Sequence, residues 1–150
     1  MSSHEVCVPW AAWYEDGEER LTFPSSWEVQ VAMPEHQPVE LADDEIRSRL
    51  AQPIGTAALA ELARGKRRVV LASDDLTRPT PTDRLLPILL GVLEEAGVSL
   101  DQITILVASG SHRFWTRLDL LKKMGPELCD TVAIYNHHPY ENLVYLGQTS

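Results

Sequence analysis

The chain has 150 residues, of which 44 % are hydrophobic and 23 % charged; this is the balance of an ordinary folded domain and excludes disorder over the whole length. A formal charge of −9 argues against a nucleic-acid backbone as partner, while two distant cysteines, Cys7 and Cys129, exclude a disulfide scaffold or zinc ribbon and fit a reducing compartment. No apolar run approaches the roughly 20 residues that a membrane helix needs, and Met1–Glu5 lacks the basic and apolar stretches of a signal peptide, so the expectation is a soluble cytoplasmic protein that binds neither membrane nor nucleic acid.

The charge is uneven. Residues 1–50 carry 11 acids and 3 bases, against 11 acids and 10 bases in residues 51–150, so an anionic ligand should prefer the later part. Residues 10–14 (WAAWY) and 20–23 (RLTF) flank Asp16-Gly17, which predicts a hairpin. Residues 27–33 alternate apolar and polar, the period of a half-buried strand. Trp10, Trp13, Phe23 and Trp27 would form the core of this small β-unit, assigned to residues 1–33.

The α/β portion is assigned to residues 41–150. Residues 41–51 read as a short helix with acids in its first turn, Asp43-Asp44-Glu45, and bases near its end. Thr56 is a candidate cap for a second helix over 57–64, ended by Gly65. Lys66-Arg67-Arg68 reads as a solvated turn. Val69–Ala72 suits a buried parallel strand. Thr82–Ala96 has helical spacing, with Leu85, Leu86, Leu89, Leu90 and Leu93 on one face and Gly97 as its end. Ile103–Ala108 is a second strand, 116–124 a helix stopped by Gly125-Pro126, 130–135 a third strand and 142–146 a fourth. The alternation implies an α/β fold: a Rossmann-like, mostly parallel sheet flanked by helices, with a small N-terminal β-hairpin unit.

In such sheets ligands bind at the carboxyl ends of the strands. Two strand ends here are rich in chemistry: Ser73-Asp74-Asp75-Leu76-Thr77-Arg78-Pro79-Thr80-Pro81 and Ser109-Gly110-Ser111-His112-Arg113. Adjacent parallel strands would bring Asp75, Thr77, Arg78, Ser109, Ser111 and His112 together. Arg78 can hold a carboxylate or phosphate bidentately. His112 can exchange a proton near neutral pH. Asp75 can orient His112 or bond a hydroxyl, and Gly110 lets the backbone approach a ligand. The bland alternative is that Asp75 and Thr77 cap a turn and Arg78 pairs with Asp74. No GxGxxG or GxxxxGK[ST] is present. His137-His138 reads as a surface turn, because adjacent histidines on a strand point to opposite faces; His4 and His36 have no partner at ligand spacing.

Gln52–Gly55, Glu61–Gly65, Ser73–Pro81, Pro87–Leu90 and Ile105–Arg113 together make the chain, from about residue 20 onward, resemble the N-terminal domain of the nickel-dependent lactate racemases. The resemblance implies a nickel-pincer nucleotide, a pyridinium mononucleotide that holds the metal through two sulfur-bearing arms and a ring carbon. It implies that Asp75, Leu76, Thr77 and Arg78 line the cofactor and substrate pocket, that Arg78 engages the substrate or cofactor anion, and that His112 is one of two catalytic histidines. No metal ligand is assigned within the chain. The implied reaction is racemisation or epimerisation of lactate or a related 2-hydroxy acid, by hydride transfer with histidine acid–base catalysis. The family pattern continues H-R-P, whereas Phe114-Trp115 follow Arg113 here, which places substrate preference beside His112. The family's second catalytic histidine, cofactor-binding lysine and nickel-ligating histidine correspond to positions beyond Ser150, so the expectation is a fragment without the C-terminal domain, inactive alone. The alternative function is a noncatalytic anion- or nucleotide-binding α/β module, and a chance match by an unrelated α/β domain is the third reading.

Overall fold

The structure, a computed structural model, describes residues 3–10, 17–32 and 39–149. It divides into two compact units, Met1–Glu40 and Leu41–Ser150. In the first, β1 (Ser3–Trp10) and β2 (Gly17–Pro24) pair antiparallel, with Ser3 opposite Pro24 and Trp10 opposite Gly17. The hairpin is therefore present but begins earlier in sequence than the aromatic pattern predicts. Its connection, with Trp13, lies outside the described residues, and so does His36.

The predicted strand over 27–33 is not formed: residues 28–32 have no regular structure, and Met33 lies outside the described residues. Alternation makes a strand only where a ladder and a buried face are on offer. Here Trp27 and Val31 are exposed, and Trp27 packs only loosely on Phe23, ring centroids 6.0 Å apart.

In the second unit, β3 (Val69–Ser73), β4 (Ile103–Val107) and β5 (Ala133–Asn136) form a parallel sheet in that order. Five helices accompany it: α1 (Asp43–Ala51), α2 (Leu59–Ala63), α3 (Thr82–Glu95), α4 (Arg117–Met124) and α5 (Pro126–Thr131). The core lies between one sheet face and the helices. Ile103, Ile105 and Val107 of β4 meet Leu86, Leu90 and Leu93 of α3, Met124 of α4 and Leu128 of α5, with Leu71 and Ile134 at the flanks. The opposite face is open, with Val70 at 60 % and Tyr135 at 61 % exposure. Among the described residues, no helix is long and apolar enough to cross a membrane.

Helix ends follow local chemistry. α3 closes in a Schellman motif: Val98 N–H donates to Leu93 C=O (3.0 Å) and Gly97 N–H to Glu94 C=O (2.9 Å), with Gly97 at φ +88°. α1 has the predicted acids in its first turn, and one of them, Asp43, accepts from Arg84 Nε of α3 at 2.7 Å.

Three expectations for this unit are corrected. Thr56 caps nothing, because α2 starts two residues later with Ala58 at its N-cap. The helix over 116–124 stops at Gly125-Pro126 as expected, but proline at the first helical position has no N–H to lose and opens α5, which takes Asp130 and Thr131 from the predicted strand. Residues 142–146 are not a strand, and Leu143, Val144, Tyr145 and Leu146 are exposed.

Candidate functional site

The ladder continues one bond past the strands. Ala108 N–H donates to Ser73 C=O (2.8 Å) and His137 N–H to Val107 C=O (2.9 Å). The loops leaving β3, β4 and β5 thus start level with one another. A side-chain clasp joins two of them: Trp115 N–H donates to the Asn136 amide oxygen (3.0 Å), and the Asn136 amide NH₂ donates back to Trp115 C=O (3.1 Å). Trp115 is buried in the core, whereas Phe114 is half exposed and stacks on the His138 ring, centroids 5.1 Å apart. His138 is accordingly half-buried rather than part of a bare surface turn.

A hollow of about 510 Å³ opens at the ends of β3 and β4. Its wall includes Asp75, Thr77, Arg78, Ser109, Ser111 and His112, the six residues whose convergence the strand order predicts. Leu76 is absent from this wall. It is half-buried and packs against the hydrophobic core, as an apolar side chain between two polar neighbours gains most by doing. Of the four residues expected to line the cofactor pocket, Leu76 alone does not line this hollow.

Asp75 organises the site. Its side chain is 7 % exposed. Oδ1 accepts from the Thr77 hydroxyl (2.5 Å) and the Thr77 N–H (3.0 Å), while Oδ2 meets His112 Nδ1. Burial pushes this carboxyl up, but the bonds from Thr77 and His112, with the charge of His112, outweigh it and hold it below its ordinary value. An ionised carboxylate only accepts, so Nδ1 of His112 carries the hydrogen and Nε2 of the neutral ring keeps its lone pair. The His112 side chain is 58 % exposed.

Arg78 does not pair with Asp74. Thr80 donates its hydroxyl to Asp74 Oδ2, and Lys123 Nζ lies 3.7 Å from Oδ1. The Arg78 guanidinium is left with no hydrogen-bond or ion-pair partner among the described residues. Gly110, also on the wall, has φ +57°, and a Cβ there would meet nothing within 4 Å, so glycine serves the backbone path and leaves room beside it.

Arg113, beside His112, does not belong to the wall. It forks onto Asp119 of α4 (2.7 and 2.8 Å), and Asp119 also accepts from the N–H of Thr116, the cap residue of that helix (2.8 Å). The Arg113 fork, ahead of these cap bonds, drives the Asp119 carboxyl far below its ordinary range against the opposing effect of burial. Sequence reading missed this brace, although Thr116 followed three residues later by Asp119 is a capping-box signature.

Because the folded-state value of Asp75 is lowered, its ionisation stabilises the fold fully above the ordinary value of 3.8, and that contribution is lost as the pH falls through the lowered folded value. Asp75→Asn should cost about 1–2 kcal/mol at pH 7. The gap from the parent should narrow below about pH 4. Urea titrations from pH 2.5 to 7 measure it; a gap independent of pH would contradict the assignment.

A histidine and an arginine at neighbouring strand ends of a small parallel α/β unit stand where proteins of this class place small-molecule sites. The lactate racemase N-terminal domain family matches residues 14–150, and the chain belongs to that family. It is 38 % identical over 112 residues to the lactate racemase of Lactiplantibacillus plantarum, covering 73 % of this chain and 26 % of that one. It is 33 % identical over 107 residues to the lactate racemase of Thermoanaerobacterium thermosaccharolyticum, covering 70 % and 25 %. The chain thus spans about a quarter of the length of these curated relatives. It is also similar to the solved lactate racemase apoprotein from T. thermosaccharolyticum, with a TM-score of 0.62 and 27 % identity over 90 % of this chain and 30 % of that one.

Proposed function

We propose that this chain is part of a racemase or epimerase of lactate or a related 2-hydroxy acid that works with a nickel-pincer nucleotide. The observation that carries the reading is the buried Asp75 carboxylate on His112 Nδ1, in one hollow with an unpaired Arg78. Its relatives named lactate racemase support it.

The donor set fits the oxygen-bearing groups of such a cofactor. Arg78 suits a phosphate or carboxylate, and Ser111 and Thr77 suit hydroxyls. Among the described residues, no group of three or more His, Cys, Asp or Glu could hold a metal ion.

The α-hydrogen of a hydroxycarboxylate is poorly acidic, since removing it as a proton would leave a dianion. When bound, the cofactor supplies a hydride acceptor. The residues of this chain do the rest. Arg78 holds the carboxylate of the substrate, or the anion of the cofactor. His112 Nε2 takes the hydroxyl proton as the hydride departs, Asp75 stabilises the resulting imidazolium, and a proton returns to the oxygen when the keto acid is reduced on its other face to give the opposite enantiomer.

The test is racemisation of L-lactate deuterated at the α-carbon, in ordinary water, by the full-length, cofactor-loaded protein of which this chain is a part. D-lactate that retains the label is expected. Exchange of the label with water would overturn hydride transfer, and absence of D-lactate would overturn the reading.

A further inference from the structure

The side chain of Lys123, on α4, is only 7 % exposed and lies outside the hollow. Its Nζ donates to the backbone carbonyls of Arg78 (2.6 Å) and Thr80 (2.9 Å). The same ammonium lies 3.7 Å from Asp74, the carboxylate best placed in sequence to neutralise Arg78. Burying a lysine is costly unless it is paired and bonded. Here one loop, residues 74–80, supplies two carbonyls and a carboxylate toward that compensation. One turn earlier on the same helix, Asp119 grips Arg113, the neighbour of His112. Residues four apart on a helix share a face. One face of α4 therefore braces both loops of the site, Lys123 the arginine loop and Asp119 the histidine loop.

We propose that Lys123 is a positioning residue for the oxyanion site: it fixes the backbone at Arg78 and Thr80 and occupies Asp74, which keeps the Arg78 guanidinium available. This rests on the reading of Arg78 as the oxyanion-holding group. The shared ligand chemistry is an oxyanion, from a carboxylate or a phosphate. Preorganised groups bind more tightly because less freedom is lost on binding. Lys123→Met, which keeps the apolar stem and removes the ammonium, frees the loop and releases Asp74 to compete for Arg78.

The test uses the chain itself, titrated separately with sodium L-lactate and inorganic phosphate. The probe is whichever of the two binds the parent and fails to bind Arg78→Ala. For that probe, Lys123→Met should lower the affinity by about tenfold or more. Leu128→Ala, a core truncation of α5, should lower thermal stability and leave the affinity alone. Lys123→Gln, which keeps an uncharged NH₂ donor, should fall between parent and Lys123→Met. Parent-like affinity in Lys123→Met overturns the inference while the role of Arg78 stands. An affinity loss matched by Leu128→Ala, or loss of the fold in both Lys123 variants, also overturns it, since each makes Lys123 a support of the whole domain. If neither anion depends on Arg78, the functional reading falls, and the inference with it.

Discussion

Alanine at position 112 should lower lactate racemisation by the cofactor-loaded protein by about 10²–10⁴, the usual worth of a positioned acid–base group. The fold should survive, because the imidazole is mostly exposed and its bond is to a carboxylate that Thr77 also satisfies. Thermal unfolding near that of the parent, together with lost turnover measured by chiral chromatography, is the expected pair of results. Near-normal turnover would remove His112 from the reaction. The effect is large because the hydroxyl proton and the α-hydride must leave together for the charge to balance. Without Nε2, the proton would have to leave to bulk water. Asp75→Asn should resemble this loss more weakly: an amide can donate to Nδ1 and so favour the wrong tautomer, while the ring itself remains in place.

Arg78→Lys should weaken oxyanion binding by about 10- to 100-fold, the equivalent of losing one or two charge-assisted hydrogen bonds. Charge is conserved, so what is lost is the planar fork. Two measurements separate the two anions that the arginine could hold. If it grips the substrate carboxylate in ground and transition states alike, KM for lactate rises with kcat little changed. If it grips the cofactor, the fraction of protein loaded falls and the KM of the loaded fraction stays put. Unchanged KM and unchanged loading would contradict both roles. The prediction depends on the guanidinium having no partner among the described residues, so that a ligand gains its full hydrogen bonding without first breaking an ion pair.

Much of the sheet was legible because its signals are local. Val69–Ala72 and Ile103–Ala108 are short apolar runs, and the leucine face with Gly97 marks α3 at both its packing and its end. Convergence of Asp75 with His112 was legible too, since adjacent parallel strands force their loops together. What failed was context. The alternation at 27–33 and the apolar run at 142–146 need a partner strand, and pairing is not encoded in the segment itself. Pro126 reads equally well as a stop or as a first helical residue, and the surrounding packing decides. Leu76 shares a motif with three polar residues but follows hydrophobicity into the core. Lys123 was invisible, because an exposed and a buried lysine look alike in a chain, and only the loop carbonyls above its Nζ distinguish them.

Phe114 and Trp115 are neighbours of similar chemistry with opposite tolerance to change. The indole is sealed in the interior and clasped through its backbone by Asn136, whereas the phenyl ring rests on His138 at the surface. A mutant library aimed at new substrates should therefore randomise position 114 and leave 115 alone. Changes at the first leave the core intact, whereas changes at the second open a cavity in it.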